Sequence, residues 1–254
     1  MAGPAPFEQF VPRLRELFEQ YRDPARAAAM CAYMRNQFPF MGIPSPKQKE
    51  LTRQAIAGLA KPTQADLTVL SHALWAMDQR EYQYVAVAQM VTNVRVCDAS
   101  FLPQVHWLIT TKPWWDAVDA LATRVVGPLV AGFPELRWEM DDWAGSENLW
   151  LARTAILHQL GYKERTDQDR LFGYCRQRSG DQDFFIRKAI GWALREYSKT
   201  DGGAVRAFVA ANPKLSPLSQ REALLWLNGG RKPPSAQPTA ARDSSGACAT
   251  QVAL

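Results

Sequence analysis

From Phe7 to about Leu227, apolar residues recur at three- and four-residue spacing, interrupted only by short clusters of Pro, Gly, Asp or Ser. A helix needs that period and a half-buried strand needs strict alternation, of which no convincing stretch occurs, so the chain reads as all-α. A first helix is expected near Phe7 to Tyr21, and Asp23-Pro24 starts a second that carries Met30, Tyr33 and Met34. Phe38-Pro39-Phe40-Met41-Gly42-Ile43-Pro44-Ser45-Pro46 holds too much proline to be helical and reads as a structured loop. A basic helix with Lys47, Lys49 and Arg53 follows it. Beyond Pro62 the pattern predicts helices over roughly 63–77, 80–93, 100–110, 113–130, 134–144, 147–160, 167–178, 183–199, 203–211 and 216–227. Short connections and helix pairs returning about every 35 residues predict an α-α superhelix, a HEAT-like repeat solenoid, with a compact helical bundle as the alternative.

At Gly229 the composition shifts to Gly-Gly-Arg-Lys-Pro-Pro-Ser-Ala-Gln-Pro and then to small and polar residues. The reading is one helical domain over 1–228, either elongated or split into two compact parts, and a disordered tail over 229–254. The formal charge is +5, and Arg231, Lys232 and Arg242 against Asp243 place +2 of it in the tail. The body is therefore only mildly basic, and affinity for an anionic partner has to come from clustering. Cys31, Cys97, Cys175 and Cys248 lie far apart, without a C-x-x-C pair or a histidine at ligand spacing, so neither zinc nor a disulfide framework is expected. No cofactor is expected either, since no Gly-rich phosphate loop occurs. The start of the chain has no basic or apolar targeting region, and no stretch approaches the roughly 20 apolar residues of a membrane span. A soluble cytoplasmic monomer is the expectation.

The densest chemistry lies in Thr110-Thr111-Lys112-Pro113-Trp114-Trp115-Asp116-Ala117-Val118-Asp119. With Thr111 as N-cap and Pro113 in the first turn, Trp114, Val118, Leu121, Ala122, Val125 and Leu129 form an apolar stripe. Trp115 and Asp119, four residues apart, then share the shoulder of that stripe, a placement that suits a site as well as edge packing. In the helix from Asp183 to Lys199, Ile186, Ile190, Ala193, Leu194 and Tyr197 form the core stripe, while Lys188, Trp192, Arg195 and Lys199 lie opposite. An indole among cations on a solvent face either takes a cation–π contact from Lys188 or Arg195 or stacks on a polyanion with flat groups. Arg153 falls among Leu149, Ile156, Leu157 and Leu160, so its guanidinium needs a carboxylate or a phosphate. Tyr33, beside Met30, Met34 and Phe38, fits core packing, and the run Arg13, Arg15, Arg22 and Arg26 fits solvated helix surface.

Ala32-Tyr33-Met34-Arg35-Asn36, Thr111-Lys112-Pro113-Trp114-Trp115-Asp116-Ala117-Val118-Asp119, Asn148-Leu149-Trp150-Leu151-Ala152-Arg153 and Phe185-Ile186-Arg187-Lys188-Ala189-Ile190-Gly191-Trp192-Ala193-Leu194-Arg195-Glu196-Tyr197 together resemble the AlkD family of DNA alkylation-repair glycosylases. The likeness runs from about residue 7 to 227 and leaves out the tail. It implies a C-shaped superhelix whose concave face holds duplex DNA and a monofunctional glycosylase for purines alkylated at N3 or N7. It further implies a catalytic carboxylate at Asp119, tryptophans facing the deoxyribose at Trp115 and Trp192, a phosphate-binding arginine at Arg153 and a DNA-facing tyrosine at Tyr33. Lys188, Arg195, Lys47 and Lys49 are the further expected contacts to alkylated double-stranded DNA. The loop Gly42-Ile43-Pro44-Ser45-Pro46 departs from the family in its proline content, which bears on backbone N–H contacts to phosphate there. A non-catalytic helical-repeat DNA binder and a protein-interaction solenoid are the competing readings.

Overall fold

A computed structural model describes residues 6–229, so the expected tail, apart from Gly229, lies outside the described residues. Those residues form helices and no strand. No helix among them is long and apolar enough to cross a membrane. Their contacts gather into two compact units, one up to Val96 and one from Cys97 onward, within the single helical span expected from the sequence.

The first unit comprises α1 (Phe10–Glu19), α2 (Pro24–Tyr33), α3 (Ser45–Ile56), α4 (Gln64–Ala76) and α5 (Arg80–Asn93). Local chemistry sets two of the starts. The Asp23 side chain accepts from the Arg26 amide with Pro24 in the first turn, and Thr63 and Asp66 form a reciprocal capping box ahead of α4. Phe10, Leu14 and Phe18, at four-residue spacing, are fully buried.

The proline-rich loop between α2 and α3 is held from inside by α5. Glu81, fully buried, accepts from the backbone N–H groups of Met41 and Gly42 at 2.9 Å and of Ile43 at 3.3 Å. The adjacent Arg80, equally buried, donates its N–H to the Pro39 carbonyl and lays its guanidinium 3.9 Å from the centre of the Phe38 ring. Burial pushes the Glu81 pKa up, against the opposing pull of the loop amides. Gly42 has φ +87°, and a Cβ there would come within 2.1 Å of the Asp23 carbonyl oxygen, so only glycine fits.

The second unit comprises α6 (Leu102–Thr110), α7 (Trp115–Leu121), α8 (Gly127–Gly132), α9 (Arg137–Gly145), α10 (Leu149–Leu157), α11 (Gln168–Gln177), α12 (Phe184–Tyr197), α13 (Gly202–Ala211) and α14 (Pro217–Leu224). α10 is its central rod, buried from Trp150 to Leu157 and packed on α6, α7, α9, α11 and α12. His158 closes that rod, buried, with Nδ1–H donating to the Ala155 carbonyl at 2.7 Å. Burial pushes its pKa down to about 4, although the carbonyl bond acts the other way.

The helix expected over 113–130 differs at its start and in its middle. Thr111 caps the end of α6, its N–H bonded to the Trp107 carbonyl, and Trp114 is the residue that precedes α7. The cause is Pro113, which bars the right-handed helical conformation to the residue before it; Lys112 turns the chain at φ +49° instead. Between α7 and α8 the chain winds one π-turn, Ala122–Val126. The expected stripe persists through it, with Val118, Leu121, Ala122, Val125 and Leu129 all buried.

Candidate active site

Asp119 stands one turn after Trp115 on α7, and both side chains are half-buried. Facing them from α10 is Arg153, whose residue is only 4% exposed. Its Nε donates to Asp119 Oδ1 at 2.7 Å and its Nη2 to Oδ2 at 2.8 Å, a two-pronged pair that fixes the carboxylate plane. The remaining Nη1 donates to the carbonyl of Phe185 in the first turn of α12. One guanidinium thereby ties together α7, α10 and α12. The Asp119 side chain keeps 17% of its surface exposed against 5% for Arg153. The arginine is therefore behind the carboxylate, and the open edge is the carboxylate's own.

Of the two partners the sequence left open for Arg153, the structure shows the carboxylate. Nε, Nη1 and Nη2 of the guanidinium each donate within the protein. In this geometry the Arg153 guanidinium holds both carboxylate oxygens of Asp119.

An aromatic floor supports the pair. Trp114, Trp150 and Phe185 meet with ring centres 5.1–5.8 Å apart, tilted or edge to face, and the Arg153 guanidinium lies 5.9 Å from the Phe185 ring centre. Trp114 and Trp115 thus divide their work. The first packs into this floor, and the second stands four residues before Asp119, so the doublet is not two copies of one function. Phe185 opens the last of the segments that resemble the family but has no expected role in the site, because its contribution is a ring and a carbonyl rather than a reactive group.

On α12 the face carrying Lys188, Trp192 and Arg195 is not a bare solvent face, as the charge pattern had implied. α14 covers part of it, and Glu222, with a side chain only 8% exposed, bonds to Lys188 Nζ at 2.9 Å and to Arg195 Nη1 at 2.5 Å. Burial would raise the Glu222 pKa, but the bonds and charges of the two cations outweigh it and hold the carboxyl below its usual range. The alternative of a cation over the indole is not what forms: among the described residues no cation and no ring stacks on Trp192, which is half-buried.

The remaining expected contacts lie in the first unit. Tyr33, the last residue of α2, is 53% exposed, which overturns its reading as core; of its expected core neighbours Met30, Met34 and Phe38, Met34 is the one that is buried. Lys47 pairs with Glu50 at 2.8 Å and sits 4.2 Å from the Tyr21 ring centre, while Lys49 is exposed. Cys31, Cys97 and Cys175 are buried free thiols, and no group of three or more His, Cys, Asp or Glu residues that could hold a metal occurs among the described residues.

The family model for DNA alkylation repair enzymes matches residues 14–227, which includes every residue of both arrangements around Asp119 and Glu222. The chain belongs to the DNA alkylation repair enzyme family. A solved structure described as a predicted DNA alkylation repair enzyme from Enterococcus faecalis superposes with a TM-score of 0.75 at 36% identity, over 81% of this chain and 96% of that one. No curated protein matches.

Proposed function

We propose that the protein is a monofunctional DNA glycosylase that hydrolyses the N-glycosidic bond of cationic N3- or N7-alkylated purines in duplex DNA. The observation that carries this reading is the Asp119–Arg153 pair: a carboxylate held in one plane by a buried guanidinium and open along one edge. An alkylated purine already bears positive charge, so it departs with the bonding electron pair and needs no proton from an acid. Positive charge then develops on the deoxyribose as an oxocarbenium ion. Asp119, placed at C1′, stabilises that ion and takes the proton from the water that attacks it, leaving free base and an abasic site. The faces of Trp115 and Trp192 against the sugar add cation–π attraction and exclude bulk water, which strengthens the field of the carboxylate. Arg153 keeps Asp119 aimed. Lys188, Arg195, Lys47, Lys49 and Tyr33 contribute contacts to the duplex, sequence-independent where they meet phosphate.

The test is release of free purine from duplex DNA methylated at N7 of guanine and N3 of adenine, with Asp119→Asn in parallel. The wild type should release base, and the variant should lose roughly tenfold or more in single-turnover rate with duplex binding retained. No release by the wild type, with tight duplex binding, would instead favour the non-catalytic DNA binder. A monofunctional enzyme leaves an abasic site and an intact strand, so product strands should break only after heat or alkali.

A further inference from the structure

Trp192 sits between two cations on one face of α12, four residues after Lys188 and three before Arg195. Either cation is within natural reach of the indole, yet both reach the other way, to the single buried carboxylate of Glu222 on α14. The backbone makes room for that arrangement. Gly191, next to Trp192, packs so closely on α14 that a Cβ there would stand 2.5 Å from the Glu222 Cβ, and the Ser219 hydroxyl donates to the Arg187 carbonyl to hold the two helices in register. A buried carboxylate placed in line with two cations is costly unless it serves both, and it serves both.

We propose that Glu222 is a positioning residue for Trp192: by holding Lys188 and Arg195 against α14, it keeps the indole face clear for the positive charge that forms on the substrate sugar. An indole already covered by a lysine or arginine has spent its cation–π attraction and repels a second positive charge. The proposal rests on the glycosylase reading above, because it takes Trp192 to face the sugar. It assigns Glu222 no contact with substrate.

The test compares binding of two duplexes, one with a cationic pyrrolidine analogue of the abasic sugar and one with a neutral tetrahydrofuran analogue. The ratio of their Kd values measures preference for positive charge without depending on turnover. Wild type should favour the cationic duplex. Glu222→Gln should lower that preference at least threefold, and the triple variant Glu222→Gln/Lys188→Met/Arg195→Met should regain it, because no cation is left to cover the ring. Glu222→Asp keeps the charge but is one methylene too short to span both partners, so its preference should fall between; it also serves if Glu222→Gln does not fold. An equal loss in Glu222→Gln and the triple variant would overturn the proposal, since the carboxylate would then be acting directly or only as packing. Unchanged preference in Glu222→Gln would overturn it too. If the wild type shows no preference for the cationic duplex, it is the glycosylase reading itself that fails.

Discussion

Removing the two partners of the Asp119–Arg153 pair one at a time should be markedly asymmetric. Asp119→Ala leaves a guanidinium that is 4% exposed with only the Phe185 carbonyl as acceptor. Stranding a buried charge costs about 3–5 kcal/mol. Arg153→Met removes the buried charge and keeps most of the stem's packing. The carboxylate it leaves behind has 17% of its side chain open, so water can replace part of what is lost, and the cost should be about 1–2 kcal/mol. In the double variant no charge is stranded, and the loss should be close to that of Arg153→Met alone, so the coupling should equal the Asp119→Ala cost, about 3–5 kcal/mol. Urea unfolding of the four proteins, with m-values compared to check that the unfolded states are alike, gives the cycle. Additive losses, or an Arg153→Met cost equal to that of Asp119→Ala, would show that the arginine is not buried behind the carboxylate and would refute the positioning role. Both single variants should also lose excision, Asp119→Ala because the reactive group is gone and Arg153→Met because it is no longer aimed.

Two further outcomes follow from buried polar groups. His158 is neutral in the folded chain down to about pH 4 and protonates near 6.5 once unfolded, so the unfolded state binds the extra proton between those values. Stability should be complete above pH 6.5 and fall by about 2 kcal/mol between pH 7 and 4.5, measured as urea midpoints against a His158→Leu reference; a parallel decline in both proteins would exclude His158 as the cause. In the first unit, Glu81→Leu orphans the amides of Met41, Gly42 and Ile43 and should cost at least about 3 kcal/mol, and Gly42→Ala at least as much through its clash with the Asp23 carbonyl. Thermal midpoints unaffected by either change would mean that the loop is not anchored through α5.

How much was legible in the chain depends on the range of the interactions involved. Helices were legible because burial writes itself at a period of 3.6, as in Phe10, Leu14 and Phe18, and because caps such as Asp23 act over three residues. The shoulder shared by Trp115 and Asp119 was legible for the same reason. The partners were not. Arg153 meets Asp119 across 34 residues, and Lys188 meets Glu222 across the same separation, so no local pattern could match donor to acceptor. The reading of Lys188, Trp192 and Arg195 as a solvent face missed α14, because cations signal solvent only when no buried carboxylate answers them. The start of α7 was misplaced because the rule that proline suits a first turn competed with the rule that proline expels its predecessor from the helix, and at Lys112 the second prevailed.

The loop between α2 and α3 carries a consequence for how this protein meets DNA. Three successive amides converging on one point make a receptor for an anion, and in many proteins a phosphate fills it. Here the chain brings its own anion: the Glu81 carboxylate occupies that receptor from within. A phosphate approaching from outside finds the amide hydrogens already turned inward and committed. Through these three amides the segment therefore offers a nucleic-acid phosphate no main-chain grip. Its share of any affinity should accordingly vary with side-chain charge and salt rather than with the backbone of the loop.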